Sequence, residues 1–228
     1  MSTKWMRLLL CLILLATASG CGFGSGNTGS SNRGEGLTFS VLVGESELAG
    51  SSVRLLNEAY VKGISIVELF KKSGVVRLAA DGHSILEVNK VALDPGMSWE
   101  IQVNGKSIQE LNTIVEPGAA IVIAARPAAI GTVFYPVIIT VNGGSEQPEL
   151  THSHVLPFVE DMSVRALMKN SGMVKLADDN RTVLTVMEYT PLSSEEWRLK
   201  VNDKALLGNG VDMKLKPQDK LEIALVLR

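Results

Sequence analysis

Apolar and polar positions alternate along this chain in short runs, and nearly every run stops at a turn residue. Leu37-Thr38-Phe39-Ser40-Val41-Leu42-Val43 and Val137-Ile138-Ile139-Thr140-Val141 show the alternating or continuous apolar run of a strand, and Gly44 and Asn142-Gly143-Gly144 turn the chain back. Weaker strands are predicted at Ser52–Asn57 and His152–Val159. The period then changes. Ser65 and Ser163 stand where a helix N-cap belongs, Ile66, Leu69 and Phe70 share one helical face, and Gly74 and Gly172 fit the first residue beyond the helix. Glu68 completes a capping box with Ser65, whereas Ala166 leaves the second helix without one. Two turns of helix are marginal alone, so each must be held by packing onto a sheet.

Further strand-like segments follow each helix. Val75–Ala79 leads through Asp81-Gly82 into Ile85–Leu93, and Trp99-Glu100-Ile101-Gln102-Val103 alternates into the turn Asn104-Gly105. Trp197-Arg198-Leu199-Lys200-Val201 does the same into Asn202-Asp203. Ala119–Ala125 and Lys220–Leu227 close the two sets after the Pro-containing turns at Pro117 and Pro217. The pattern occurs twice because the sequence does. From Ile64 to Val88, 11 of 25 positions are identical 98 residues later, where average composition gives on the order of one or two. The register holds through Trp99/Trp197, Val103/Val201 and Asn104/Asn202, slips by two residues, and resumes at Pro117/Pro217.

The order β-β-α-β-β-β, with one short helix laid on a mixed sheet, is the plan of a ubiquitin-like β-grasp domain, and the expected class is α+β with two such domains in tandem. The motifs Ser65-Ile66-Val67-Glu68-Leu69, Trp99 to Gly105 and Val115-Glu116-Pro117-Gly118-Ala119-Ala120-Ile121 resemble the transcobalamin C-terminal-domain-like β-grasp family. Ser163 to Leu167, Trp197 to Asp203 and Leu215-Lys216-Pro217-Gln218-Asp219-Lys220-Leu221 repeat the resemblance in the second copy. The two copies depart from the family pattern at Ile101 and Leu199, where an aromatic is common, and at Asp203, which stands for glycine. The expected domains are 37–126 and 133–228, and the resemblance covers about Leu37–Arg126 and Tyr135–Arg228 of them. The resemblance also implies a corrinoid as a possible ligand, with Trp99, Asn104, Trp197 and Asn202 as candidate ligand-binding residues.

The first residues change the picture of where the chain works. Lys4 and Arg7 precede the apolar run Leu8–Ala18, which is too short to span a bilayer and reads as a secretory signal over residues 1–20. Ala18-Ser19-Gly20-Cys21 resembles the bacterial lipobox, so Cys21 is the expected lipid attachment site on the extracytoplasmic face of a cell membrane. Cys11 would leave with the signal, and the mature chain would then hold no disulfide, no thiol nucleophile and no thiolate ligand. Gly22–Gly36 is a Gly/Ser/Asn tether, which at 5–6 Å times the square root of its length spans on the order of 20 Å.

Charge and chemistry narrow the function classes. The formal charge is −2, becoming −4 without the signal, which holds two bases and no acid. No long basic run is present, which excludes a nucleic-acid partner. Aromatic residues make up 5% of the chain, too few for a sugar-stacking platform. Trp99 and Trp197 either cap the core between helix and sheet or stack a planar ligand. Asn104 and Asn202 suit left-handed turn positions. His152 and His154 face one side of a strand, but Glu149 and Glu160 are the only further ligands nearby in sequence and the first copy has no counterpart, so no metal is expected. Catalytic motifs are absent, and the expected role is binding. The partner is a small molecule such as a corrinoid or, in the alternative, an envelope protein docked at a sheet edge.

Overall fold

The computed structural model describes residues 36–129 and 135–228. The signal segment 1–20, Cys21, residues 22–35 of the tether and residues 130–134 of the link lie outside them. The described residues form one compact unit of mixed α and β structure.

In the first half, β1 (Thr38–Val43) pairs antiparallel with the two-residue β2 (Ser46–Glu47) and parallel with β8 (Ala120–Pro127), placing Phe39 opposite Ile121 and Val41 opposite Ile123. β8 pairs antiparallel with β6 (Met97–Val103), and β6 with β7 (Lys106–Ile108). The sheet order is β2-β1-β8-β6-β7. Alternation along β1 buries Phe39, Val41 and Val43, as a half-covered strand demands. Phe39 and Val41 join Leu56, Ile66, Leu69, Phe70, Ile101, Ile121 and Ile123 in one core, where each fully buried large side chain contributes about 1.5–3 kcal/mol.

Two of the expected strands of this half are different in the fold. Ser52–Ala59 is a helix, α1, and not a strand. Val53, Leu56 and Tyr60 recur at helical spacing, Arg54 and Glu58 pair at i,i+4, and the Asn57 amide bonds both N and O of Leu37, tying α1 to the start of β1. Ile85–Leu93 is a hairpin and not one strand: β4 (Ile85–Val88) and β5 (Val91–Leu93) meet at Asn89 and Lys90, whose φ values are 51° and 60°. The Asn89 amide donates to Leu48 O at 2.7 Å and Ala49 O at 3.1 Å, which holds that turn against the chain before α1. β3 (Val76–Leu78) pairs with the outer side of β4.

The helix α2 (Ile66–Ser73) begins with the capping box expected of it. Ser65 N donates to Glu68 Oε2 at 3.1 Å, Glu68 N donates to Ser65 Oγ, and Gly74 ends the helix at φ 67°. In the second half, α3 (Val164–Asn170) has only the Ser163 Oγ acceptor, 3.1 Å from Ala166 N, and it ends at Ser171 followed by Gly172 at φ 68°.

In the second half, β9 (Pro136–Asn142) runs parallel to β15 (Lys220–Leu227) and antiparallel to β10 (His152–Pro157). β15 pairs with β13 (Glu195–Val201), and β13 with β14 (Lys204–Ala205). The order β14-β13-β15-β9-β10 matches β7-β6-β8-β1-β2. Val164, Leu167 and Met168 of α3 lie in a second core with Val137, Ile139, Leu221 and Ile223. β11 (Val174–Leu176) and β12 (Val183–Val186) form a separate hairpin.

The two halves share a sheet. β5 pairs parallel with β10, Val91 opposite Ser153 and Leu93 opposite Val155, so strands β14-β13-β15-β9-β10-β5-β4-β3 are continuous. Val43, Val91, Ala125, Ile138 and Val155 fill this seam as a third apolar cluster. The equivalent edge of the second half is closed from within. Asp94 N donates to Val155 O at 3.0 Å across the seam, whereas Leu192, 98 residues later, donates to Glu195 Oε2 at 2.9 Å. Glu195 is 4% exposed and also accepts the Tyr189 hydroxyl at 2.8 Å. A carboxylate turned inward beneath an edge takes up the N–H that a further strand would use.

Candidate functional site

Alternation on β6 and β13 sets Trp99 opposite Ala125 and Trp197 opposite Leu225. Both indoles are half-buried, packed against the first and second cores respectively, and Trp99 also reaches the seam cluster. Trp197 meets the Tyr189 ring edge-on, centroids 6.2 Å apart and planes at 84°. The Nε1 of both tryptophans is buried without a hydrogen-bond partner among the described residues. An unmatched buried donor costs about 1–3 kcal/mol, and here it recurs at equivalent positions.

Beside each tryptophan lies an open groove of about 450 Å³. In the first half it separates the tip of the β3–β4 hairpin from β6; in the second, the tip of β11–β12 from β13. The walls correspond at the 98-residue offset: His83 with Arg181, Ser84 with Thr182, Ile85 with Val183, Met97 with Glu195, Ser98 with Glu196, and Ile101 with Leu199. The grooves differ at their mouths. Ser107, Ile108, Gln109 and Leu111 extend the first, and Pro191, Leu192 and Arg228 extend the second.

One aspartate shapes each hairpin tip. Asp81 accepts from His83 N at 2.8 Å, Ser84 N at 2.9 Å and Ser84 Oγ at 2.6 Å. Asp179 accepts from Arg181 N at 2.7 Å, Thr182 N at 2.9 Å and Thr182 Oγ1 at 2.8 Å. The Ser84 hydroxyl, the backbone N–H of Ser84 and that of His83 pull the Asp81 carboxyl down to about 2, and the Thr182 and Arg181 backbone donors lower Asp179 in the same way. A carboxyl whose folded value lies below its unfolded one stabilises the fold above the unfolded value, near 4, and loses that contribution as pH falls through the folded value. An NMR titration should therefore place Asp81 near 2, and Ser84→Ala should move the midpoint upward. A parent midpoint near 4 would show that the tip is not held in this way.

Asn104 and Asn202 take φ 51° and 48°. Their Oδ1 atoms accept from Ala120 N at 2.8 Å and Lys220 N at 2.9 Å, which locks each turn to the start of the following strand. Asn202 also donates to Asp219 Oδ1 at 2.7 Å. Neither asparagine lines the groove beside its tryptophan. What comes to each tryptophan instead is the hairpin tip, which sequence reasoning treated as a turn alone. The signal was present in the offset, since Asp81/Asp179 and Ser84/Thr182 hold the same register as the tryptophans.

His152 and His154 sit at the seam on β10, half-buried, with His152 Nε2 3.5 Å from Glu87 Oε1. Burial pushes both imidazoles below their usual range, so both are neutral at pH 7; Glu87 opposes this for His152 and Asp94 for His154. Among the described residues no group of three His, Cys, Asp or Glu side chains is placed to hold a metal ion. Among them also, no helix is long and apolar enough to cross a membrane.

No family model matches the chain, and no curated protein matches it. A solved structure from Ruminococcus gnavus, described as a "putative metal binding protein", is similar to part of it at 15% identity with a TM-score of 0.33, over 41% of this chain and 98% of its own. A likeness of that size carries no argument about this chain.

Proposed function

We propose that this chain is a lipid-anchored extracytoplasmic binding protein, held to the membrane through Cys21, with two β-grasp modules of the transcobalamin C-terminal type. Each module takes a small ligand in the groove beside Trp99 or Trp197. The observation that carries the reading is the duplication of the groove, with corresponding wall positions around a half-buried tryptophan in both halves. The parallel pairing of first and last strand in each half, with a short helix over the sheet, supports the β-grasp assignment. Grooves of this size suit ligands of a few hundred daltons, or one edge of a larger one.

The chemistry asked of the ligand is a flat apolar face that packs on the exposed part of each half-buried indole. A corrinoid, the class the family resemblance implies, has a broad ring and offers such a face. Docking of an envelope protein by strand addition has less to work with, because the outermost strands β2, β7, β14 and β3 are two or three residues long.

Titration with cobalamin and cobinamide, read by tryptophan fluorescence, tests the reading. Saturable quenching in the micromolar range or tighter is expected. Trp99→Phe or Trp197→Phe should remove the quenching of its own half and leave that of the other, and calorimetry should show binding there weakened about two- to tenfold, the worth of one aromatic contact. No change at millimolar ligand would remove corrinoids from consideration.

A further inference from the structure

The strongest feature outside the grooves is a basic depression on the first half. Lys62, Lys71 and Lys72 line a shallow hollow of about 600 Å³ between α2 and the segment that leads into it, together with Val61, Gly63, Ile64 and Glu68. All three lysines are exposed, and among the described residues none forms an ion pair. The one acid at the rim, Glu68, is turned onto Ser65, which it meets at 3.1 Å (N) and 2.7 Å (Oγ) as part of the capping box. The hollow thus holds a local excess of positive charge on a chain whose formal charge is −2.

Two further observations say what this charge faces. At the same 98-residue offset the second half carries Glu160, Lys169 and Asn170, with Asp161 beside them, so this hollow has no basic counterpart there; the lysine-lined hollow of the second half, at Lys204, Lys214 and Lys216, also holds Asp219, and Lys214 pairs with Asp161. That half is the one the tether enters. Leu37, where the tether ends, is bonded on both N and O to Asn57 of α1. At helical rise and extended-chain reach, Lys62, five residues beyond Asn57, lies on the order of 10 Å from it.

We propose that Lys62, Lys71 and Lys72 form a membrane-facing surface that seats the first half on anionic phospholipid headgroups. The proposal rests on the lipid-anchor reading. A tether of about 20 Å keeps the patch at high effective concentration over the bilayer. Each basic residue within a Debye length of an anionic surface is worth about a fivefold gain in binding. The net negative remainder of the molecule is repelled by the same surface, so attraction at the patch also sets which face turns outward.

The test uses the mature chain with Cys21→Ser, so that no acyl chain contributes. Its co-sedimentation is compared on vesicles of pure phosphatidylcholine and on vesicles with one third phosphatidylglycerol. Binding to the anionic vesicles only, weakened by salt and reduced roughly a hundredfold by the triple change Lys62→Gln, Lys71→Gln, Lys72→Gln, is the expected result. The second-half change Lys169→Gln should leave binding as it was. Equal binding to both vesicles, or no effect of the triple change, overturns the proposal. Displacement by millimolar inorganic phosphate at constant ionic strength also overturns it, since that would mark a small-anion site. Mass spectrometry of the native chain checks Cys21 acylation separately, so failure of the anchor and failure of the patch are distinguishable.

Discussion

Phe70→Ala is expected to destabilise the protein by about 3–5 kcal/mol. Phe70 is fully buried in the last turn of α2, inside the core that contains Leu56, Ile66, Leu69 and Phe39. An eight-residue helix cannot hold itself in water, so this ring is much of what fastens α2 to the sheet. Its removal forfeits the transfer energy of the largest fully buried side chain in the cluster and leaves a cavity that the strands beneath cannot fill. The second half supplies a control. Met168 occupies the equivalent place, also fully buried, so Phe70→Met should cost less than about 1.5 kcal/mol. Urea denaturation followed by far-UV circular dichroism would measure both. A loss under 1 kcal/mol for the alanine variant would mean that α2 is not held by this contact.

Val155→Asp should cost at least about 3–5 kcal/mol and also change how the protein unfolds. Val155 lies on β10 between Ile138 of β9 and Leu93 of β5, with no exposed surface. A carboxylate there meets Val43, Val91, Ala125 and Ile138, and the nearest acid across the seam, Asp94, has the same sign. No cation in the cluster can compensate it. The milder Val155→Ala should cost roughly 2 kcal/mol, from lost methyls and a small cavity. The seam makes the halves one cooperative unit in the parent, so Trp99→Phe and Trp197→Phe, each leaving one reporter, should give coincident transitions. In the Val155→Asp background the two reporters should separate. Coincident curves in that background would show that the halves are coupled by something other than this cluster.

Several features of the fold were legible in the sequence because they are local. The Ser65–Glu68 box, the left-handed Asn104 and Asn202, and the alternation that buries Phe39, Val41 and Val43 each depend on residues within a few positions of one another. The α1 helix escaped because Ser52–Asn57 is too short a window to separate a helical period from a strand's alternation. Its period is plain only when Tyr60 is included and Asn57 is seen tied to Leu37. β5 escaped because Asn89-Lys90 lacks glycine, and the left-handed turn there is secured by amide bonds to Leu48 and Ala49, some 40 residues away.

The candidate site divides the same way. Trp99 and Trp197 stood out from their repeat, yet the partners that make each a groove wall, Ser84 and Thr182 among them, come from a hairpin tip that only folding brings near. Glu195 gave no signal, since a glutamate in a polar turn reads as solvated; its burial follows from the Tyr189 hydroxyl and the Leu192 N–H closing over it.

By itself the sequence determined caps, turns, the apolar face of each strand and the 98-residue recurrence, all of which follow from dihedral preferences and side-chain spacing along one segment. The tertiary structure decided that β5 docks on β10, that the second half ends in a closed edge, and that two indole N–H groups are left without partners among the described residues. Strand edges present the same backbone donors and acceptors whatever their side chains. Which edges meet is therefore chosen by the apolar surfaces that must be buried together, and that choice exists only once the whole chain is assembled.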